Sequence, residues 1–202
     1  MLEMIQTFLN TIAVSFDIPI LDWIQANLQS GFLDFIMPII TLFGDGGVFW
    51  IACSVILLFF PRYRKAGLTM GLALVMGLVV CNITIKPLVA RPRPVALIAD
   101  LGLMTNIPEK VIMMRDFSFP SGHTIASFEA SVALLMYSKK LGIPALILAI
   151  LVSFSRLYLY VHYPTDVLVS VVLGTVFALI AYAIMKNRKF CEPRYGKYER
   201  AA

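Results

Sequence analysis

Five stretches of this chain are apolar over lengths that a bilayer demands and a water-soluble core does not. They run approximately over 47–60, 66–85, 121–137, 141–159 and 165–185, and a transmembrane helix needs about 20 mostly apolar residues, fewer where its ends lie in the interface. Composition agrees: 59% of the 202 residues are hydrophobic and 14% are charged, where a soluble chain carries about 25% charged residues. The mean hydropathy of +0.84 means more apolar surface than one core of this size can bury. The sequence therefore predicts an all-α fold, a polytopic transmembrane helical bundle of five spans forming one integral membrane domain over 1–202. A disordered tail, a nucleic-acid reader built on a basic face and a disulfide-stapled secreted module are all excluded by composition. Cys53 and Cys81 sit in apolar runs and Cys191 in the basic tail, with no spacing that suggests a disulfide framework or a zinc site. Glu3 stands where a signal peptide would carry positive charge, so no cleaved targeting segment is expected.

Residues 1–43 are apolar but interrupted by Glu3, Asp17, Asp22, Gln25, Asn27, Gln29 and Asp34. That pattern predicts amphipathic interfacial helices and leaves a sixth span open. Residues 44–185 then form the core, and 186–202 a basic tail. If the spans alternate, the 61–65 connection, the pair Lys139 and Lys140, and the tail from Lys186 lie on one side, with eleven of the seventeen basic residues. The positive-inside rule makes that side cytoplasmic and the protein a multi-pass protein of the cell membrane. The tail would rest on anionic headgroups. Six cations fall on the opposite, extracytoplasmic side, namely Lys86, Arg91, Arg93, Lys110, Arg115 and Arg156. Charge beside a bilayer is expensive, and an anionic ligand is the simplest reason for it.

Both histidines of the chain fall at the same surface: His123 after the long 86–120 connection, and His162 in the short one between the last two spans. Phosphoryl transfer suits the set. Lys86, Arg93 and Arg156 supply charge and forked donors for phosphate oxygens. Ser121 and Gly122 open a helix after Pro120, whose N-terminal N–H groups make an anion site. Pro164 favours a helix start that turns Asp166 back toward His162, so the carboxylate can fix the imidazole tautomer and leave the other nitrogen to attack. His123 can protonate the leaving group. No Asp/Glu cluster for magnesium and no Cys/His set for zinc is present, so neither metal nor cofactor is expected.

Three motifs carry a family resemblance: Lys86, six residues, Arg93-Pro94; Pro120-Ser121-Gly122-His123; and Ser155-Arg156, five residues, His162, three residues, Asp166. In these the chain resembles the type-2 phosphatidic acid phosphatases, membrane relatives of the vanadium haloperoxidases, over about 44–185. The resemblance implies a helical bundle with a metal-free site that forms a phosphohistidine on His162. It also implies His123 as acid, Asp166 as partner of His162, and Lys86, Arg93, Arg156, Ser121 and Gly122 as the phosphate cradle. Arg91 also precedes a proline, and only the spacing from Lys86 selects Arg93 over it, so Arg91 is expected as a secondary phosphate or headgroup contact.

The expected activity is hydrolysis of a lipid phosphate, with undecaprenyl diphosphate first and phosphatidylglycerol phosphate or phosphatidic acid as alternatives. A phosphotransferase and a non-catalytic binder or transporter of anionic lipid are further alternatives. Headgroup selection is expected from Asp100, Glu109, Lys110, Arg115 and Asp116. Glu129, eight residues beyond Ser121, must face the bundle or a wet cavity; a structural contact to Asn82 or Ser153 is favoured over a role in positioning His123. Tyr158, Tyr160 and Tyr163 read as an interfacial aromatic belt, with Tyr163 also able to wall the site.

Overall fold

A computed structural model describes residues 2–103, 105, 107 and 116–187. Glu109, Lys110, Arg115, Cys191 and the tail beyond Asn187 lie outside the described residues. Every regular element among those described is helical. The expected spans form the bundle: α4 (Val48–Leu58), α5 (Arg64–Gly77) extended by a π segment (Leu78–Ile85) into α6 (Lys86–Val89), α8 (Gly122–Tyr137), α9 (Lys139–Tyr158) and α10 (Pro164–Met185).

Helix α8 is the hub, packed against α4, α5, α9 and α10. Its sequence fits that place: Ala130, Ser131 and Ala133 are fully buried, and small side chains let helix backbones approach where lipid offers no hydrophobic drive. Sixteen residues span only about 24 Å at 1.5 Å per residue. A helix surrounded by others need not reach both membrane surfaces. Tyr137 fixes the far end, meeting Thr69 Oγ1 at 2.9 Å and the Tyr182 ring at 5.3 Å. The basic connections at 61–65 and 139–140 and Lys186 therefore share that end, as alternation requires.

The N-terminal region departs from expectation. Helices α1 (Leu2–Ile12) and α2 (Ile18–Leu28), joined by a π segment (Ala13–Asp17), run on as one helix. Its stretch Gln6–Leu28 is, among the described residues, one of five helices long and apolar enough to cross a membrane, the others being Gly31–Leu58, Pro61–Leu101, Lys139–Tyr158 and Pro164–Met185. The Gly31–Leu58 stretch is α3 (Gly31–Thr41) and α4 joined across a turn, with Asp45 and Gly46 outside helical geometry. The polar residues that break the N-terminal hydropathy turn toward protein. Asp17 and Gln25 are buried, Gln25 Nε2 donates to the Tyr158 carbonyl at 2.6 Å, and Asp22 accepts from Tyr160 Oη at 2.7 Å. Phe8, Phe16 and Trp23 face outward instead. Leu21 packs with Leu97, Ile98, Tyr160 and Tyr163, and Ile24 with Tyr158, Leu159 and Val161, so this helix is docked on the end of the bundle opposite Tyr137.

The tyrosines accordingly do not form an aromatic belt. All three are buried: Tyr158 and Tyr160 donate to Asp34 and Asp22, and the Tyr163 ring covers the Arg91 guanidinium at 3.8 Å. The hydroxyls of Tyr158 and Tyr160 find protein partners that a sequence window does not show, while that of Tyr163 is buried without one.

Candidate active site

Two chain reversals build the site. Helix α6 ends on Ala90, at a left-handed φ of 48°, and Arg91 to Arg93 cross the mouth of the bundle before Pro94 starts α7 (Pro94–Leu101). Helix α9 ends at Tyr158, and the chain turns through Tyr160, at φ 59°, before Pro164 restarts it as α10. A non-glycine residue in that region costs of order 1–3 kcal/mol and persists only where its surroundings hold it. Here the buried ring and its bond to Asp22 do so, which fixes His162 two residues on.

His162 is 1% exposed, and its Nδ1 stands 3.5 Å from Asp166 Oδ2. That is longer than a normal hydrogen bond, and Nε2 is left toward the cavity, 3.3 Å from Arg93 Nη1. Asp166, in the first turn of α10, accepts from the Tyr163 N–H at 3.2 Å, so one carboxylate serves the helix start and the histidine. Burial, then the charges of Arg93, Arg156, Lys86 and His123, hold the His162 pKa well below the ordinary imidazole value. The ring is neutral near pH 7 and its Nε2 lone pair is available.

Of the expected cradle, Lys86, Arg93 and Gly122 line the cavity with His162, whereas Arg156 and Ser121 lie behind its wall. Arg93 donates from Nη1 to the Val161 carbonyl at 2.6 Å and from Nη2 to Asp116 Oδ1 at 2.6 Å. Lys86 Nζ reaches Asp116 Oδ2 at 2.8 Å. Asp116 thus bridges the two cations as two oxygens of a phosphate would. Partial burial pushes its pKa up, but hydrogen bonds and charge from Lys86 and Arg93 outweigh this and bring it down to about 2. Arg156 is buried and donates from Nη1 to Thr41 Oγ1 at 2.5 Å, so α3 orients it. Gly122 and His123 line the cavity. The neighbouring Ser121 is fully buried; its N–H donates to Ser170 Oγ at 2.8 Å and its hydroxyl accepts from Thr124 at 3.1 Å. The Ser121 N–H is therefore not an anion donor here, and its hydroxyl proton is what it has to offer.

His123 Nε2 lies 2.6 Å from Asp45 Oδ1, on the turn between α3 and α4. Gly44 makes that approach possible, because a Cβ there would stand 2.6 Å from His123 Cδ2. The sequence pattern pointed to neither Asp45 nor Thr41, Thr165, Ser170 and Asp17. For Asp17 a signal existed: a carboxylate inside an apolar run needs a partner.

Two expectations are corrected. Arg91 does not face the cavity. Its guanidinium is 1% exposed and lies behind Asp166, donating from Nη1 to Asp166 Oδ1 at 2.5 Å and from Nη2 to Asp17 Oδ2 at 2.7 Å. Its two Nη groups are held by the carboxylates and it does not line the cavity, a place that does not suit the expected phosphate or headgroup contact. Glu129 meets neither Asn82 nor Ser153: its carboxylate abuts Gly77, where a Cβ would lie 2.1 Å from Oε1, and Ser153 donates to the Ala149 carbonyl.

The cavity holds about 550 Å³. It runs from Lys86, Arg93, His123 and His162 past Asn82 and Glu129 to Ile51, Val55, Leu74 and Val75 of α4 and α5, a polar mouth above a mostly apolar cleft. Among the described residues no group of three or more His, Cys, Asp or Glu stands together as a metal site.

The chain matches the model of the PAP2 superfamily over residues 66–190. It is 31% identical over 172 residues to an undecaprenyl-diphosphatase of Sulfolobus acidocaldarius, covering 85% of this chain and 79% of that one. It is 33% identical over 150 residues to the undecaprenyl-diphosphatase BcrC of Bacillus subtilis, 74% of each chain. The fold is similar to the crystal structure of a transmembrane PAP2-type phosphatidylglycerolphosphate phosphatase from Bacillus subtilis, with a TM-score of 0.70, 25% identity and 94% of each chain covered.

Proposed function

The chain belongs to the PAP2 superfamily, and from that premise we propose that it is a membrane lipid phosphatase that removes the terminal phosphate of undecaprenyl diphosphate. The observation that carries this reading is the convergence of His162, His123, Lys86 and Arg93 at the polar mouth of a cleft whose depth is apolar. A phosphate at the mouth with its hydrocarbon chain along α4 and α5 fits that shape and polarity. The undecaprenyl-diphosphatases among the relatives favour the substrate.

In this reading His162 Nε2 attacks the terminal phosphorus, the bond from phosphorus to the bridging oxygen breaks, and His123 gives its proton to the departing lipid phosphate. Water then attacks the phosphohistidine and His123 takes its proton, releasing phosphate and restoring His162. Lys86, Arg93 and Arg156, with the Ser121 hydroxyl and Gly122, neutralise the phosphoryl oxygens in place of Asp116, as catalysis of this transfer is largely electrostatic. Asp166 stabilises the charged imidazole. Residues 44–185 are the catalytic core, no metal takes part, and the site faces the extracytoplasmic side of the cell membrane because the described Lys and Arg connections lie at the other end.

The test is phosphate release by the purified protein in mixed micelles with excess EDTA, comparing undecaprenyl diphosphate, phosphatidylglycerol phosphate and phosphatidic acid, with His162→Ala as blank. Release from undecaprenyl diphosphate that survives EDTA and disappears in the variant is expected. Preference for phosphatidylglycerol phosphate would move the substrate to that of the structural relative, and release lost with EDTA would overturn the chemistry.

A further inference from the structure

We propose that Asp17 and Arg91 are positioning residues for the reaction: with Asp166 they form a buried charge unit behind His162, so that the N-terminal helix, outside the matched family segment, tunes the nucleophile. The proposal rests on His162 being the nucleophile.

Three groups make the unit, and none meets solvent: Asp17 is 0% exposed, Arg91 1% and Asp166 0%. Arg91 Nη1 also donates to Thr165 Oγ1 at 2.9 Å, and the Tyr163 ring caps the guanidinium. Asp17 accepts twice from Thr165, from its N–H at 2.9 Å and its hydroxyl at 2.7 Å. Thr165 immediately precedes Asp166, so Asp17 grips the helix turn that aims Asp166 at His162. The π segment Ala13–Asp17 ends on this residue, and such insertions in helices occur often where a side chain has a functional direction.

The charge balance explains why two carboxylates flank one guanidinium. Lys86, Arg93 and His123 line the cavity that His162 faces, Arg156 acts on the ring by its charge, and Asp116 pairs with Lys86 and Arg93 and Asp45 with His123. A carboxylate neutralised one-to-one by Arg91 would offer little to offset that field when the ring becomes cationic on attack. Asp17 shares the guanidinium, so the buried unit sets two carboxylates against one cation. A buried ion pair is weak support for stability, since apolar residues of similar volume replace it at little cost. A reason beyond stability is therefore needed, and the position directly behind the nucleophile supplies it.

The experiment uses the full chain in mixed micelles with undecaprenyl diphosphate and reads kcat, KM, the acid limb of kcat/KM and the thermal midpoint. Asp17→Asn is expected to lower kcat about 10-fold to 100-fold, the scale for groups that orient a catalytic ligand, with KM within about twofold. Its acid limb moves to lower pH, because the unbalanced Arg91 charge disfavours protonated His162. The double variant Asp17→Asn/Arg91→Gln removes one charge of each sign and is expected to restore the limb and much of kcat. Asn27→Ala, which cuts an exposed bond within the same helix to the Trp23 carbonyl, leaves the limb in place. Where Asp17→Asn yields no folded protein, Thr165→Val gives a smaller shift in the same direction. An unmoved limb in Asp17→Asn and Thr165→Val, or a double variant no better than Asp17→Asn, overturns the proposal. Failure of the native chain to release phosphate, or full activity in His162→Ala, overturns the underlying reading of the site instead.

Discussion

Arg91 and Arg93 stand two residues apart, each before a proline, yet they hold opposite faces of one histidine. Arg93 faces the cavity and shares its Asp116 partner with Lys86, and that carboxylate is 49% exposed. Arg91 lies behind Asp166 with partners that are wholly buried. A half-exposed carboxylate regains water when it leaves, so a phosphate of higher charge can displace Asp116 from its two cations. Breaking a buried pair leaves an uncompensated charge and costs about 3–5 kcal/mol, so no ligand displaces Asp17. One face is made to be exchanged and the other to stay fixed.

Substitution on each face breaks this comparison most strongly. Arg93→Ala is expected to lower kcat/KM about 10²-fold to 10³-fold, as for the loss of a preorganised donor, with the thermal midpoint nearly unchanged. Arg91→Ala is expected to lower the thermal midpoint as well as kcat; equal midpoints in the two variants would erase the distinction. Next in size is the acid limb of kcat/KM in the native chain, which should lie below the ordinary histidine value of about 6.5, because burial and the facing cations hold His162 neutral. A limb above that value in a pH–rate profile would mean the cations are not directed at the nucleophile.

Asp116→Asn sharpens the picture of an exchangeable face. It removes a competitor for the cradle and is expected to lower KM a few-fold. Asp116 is held ionised down to about pH 2, so KM measured at pH 5 and at pH 8 should fall by the same factor, and a gain confined to one pH would contradict the competition. The smallest effect belongs to Glu129→Gln, whose carboxylate abuts Gly77 and not His123. Activity within about twofold of native is expected, since surface-neutral and isosteric changes away from reacting groups have small effects; a loss beyond tenfold in the release assay would return Glu129 to the mechanism.

The bundle and the front of the site were legible because their signals are local. Each bundle span is a contiguous apolar run, and the spacings from Lys86 to Arg93 and from His162 to Asp166 are seven and four residues. Pro164 at the start of α10 is the local reason that Asp166 reaches back. The back of the site was hidden because its contacts span the chain: Asp17 meets Arg91 and Thr165 across 74 and 148 residues. In a hydropathy window Asp17, Asp22 and Gln25 look like residues turned to water, and only the fold reveals that they turn to Arg91, Thr165 and the two tyrosines. The place of Arg91 is hidden for the same reason, because residue type suggests an anion partner without saying whether it is a phosphate or a carboxylate of the chain.

The central claim is a phosphohistidine on His162, and rapid-quench trapping tests it directly. Undecaprenyl diphosphate labelled at the terminal phosphate would be mixed with the native chain, quenched in base and digested, and the label mapped by mass spectrometry. The account predicts an acid-labile, base-stable phosphate on the peptide that contains His162, absent in His162→Ala. Label on another residue, or full turnover with His162→Ala, would contradict it.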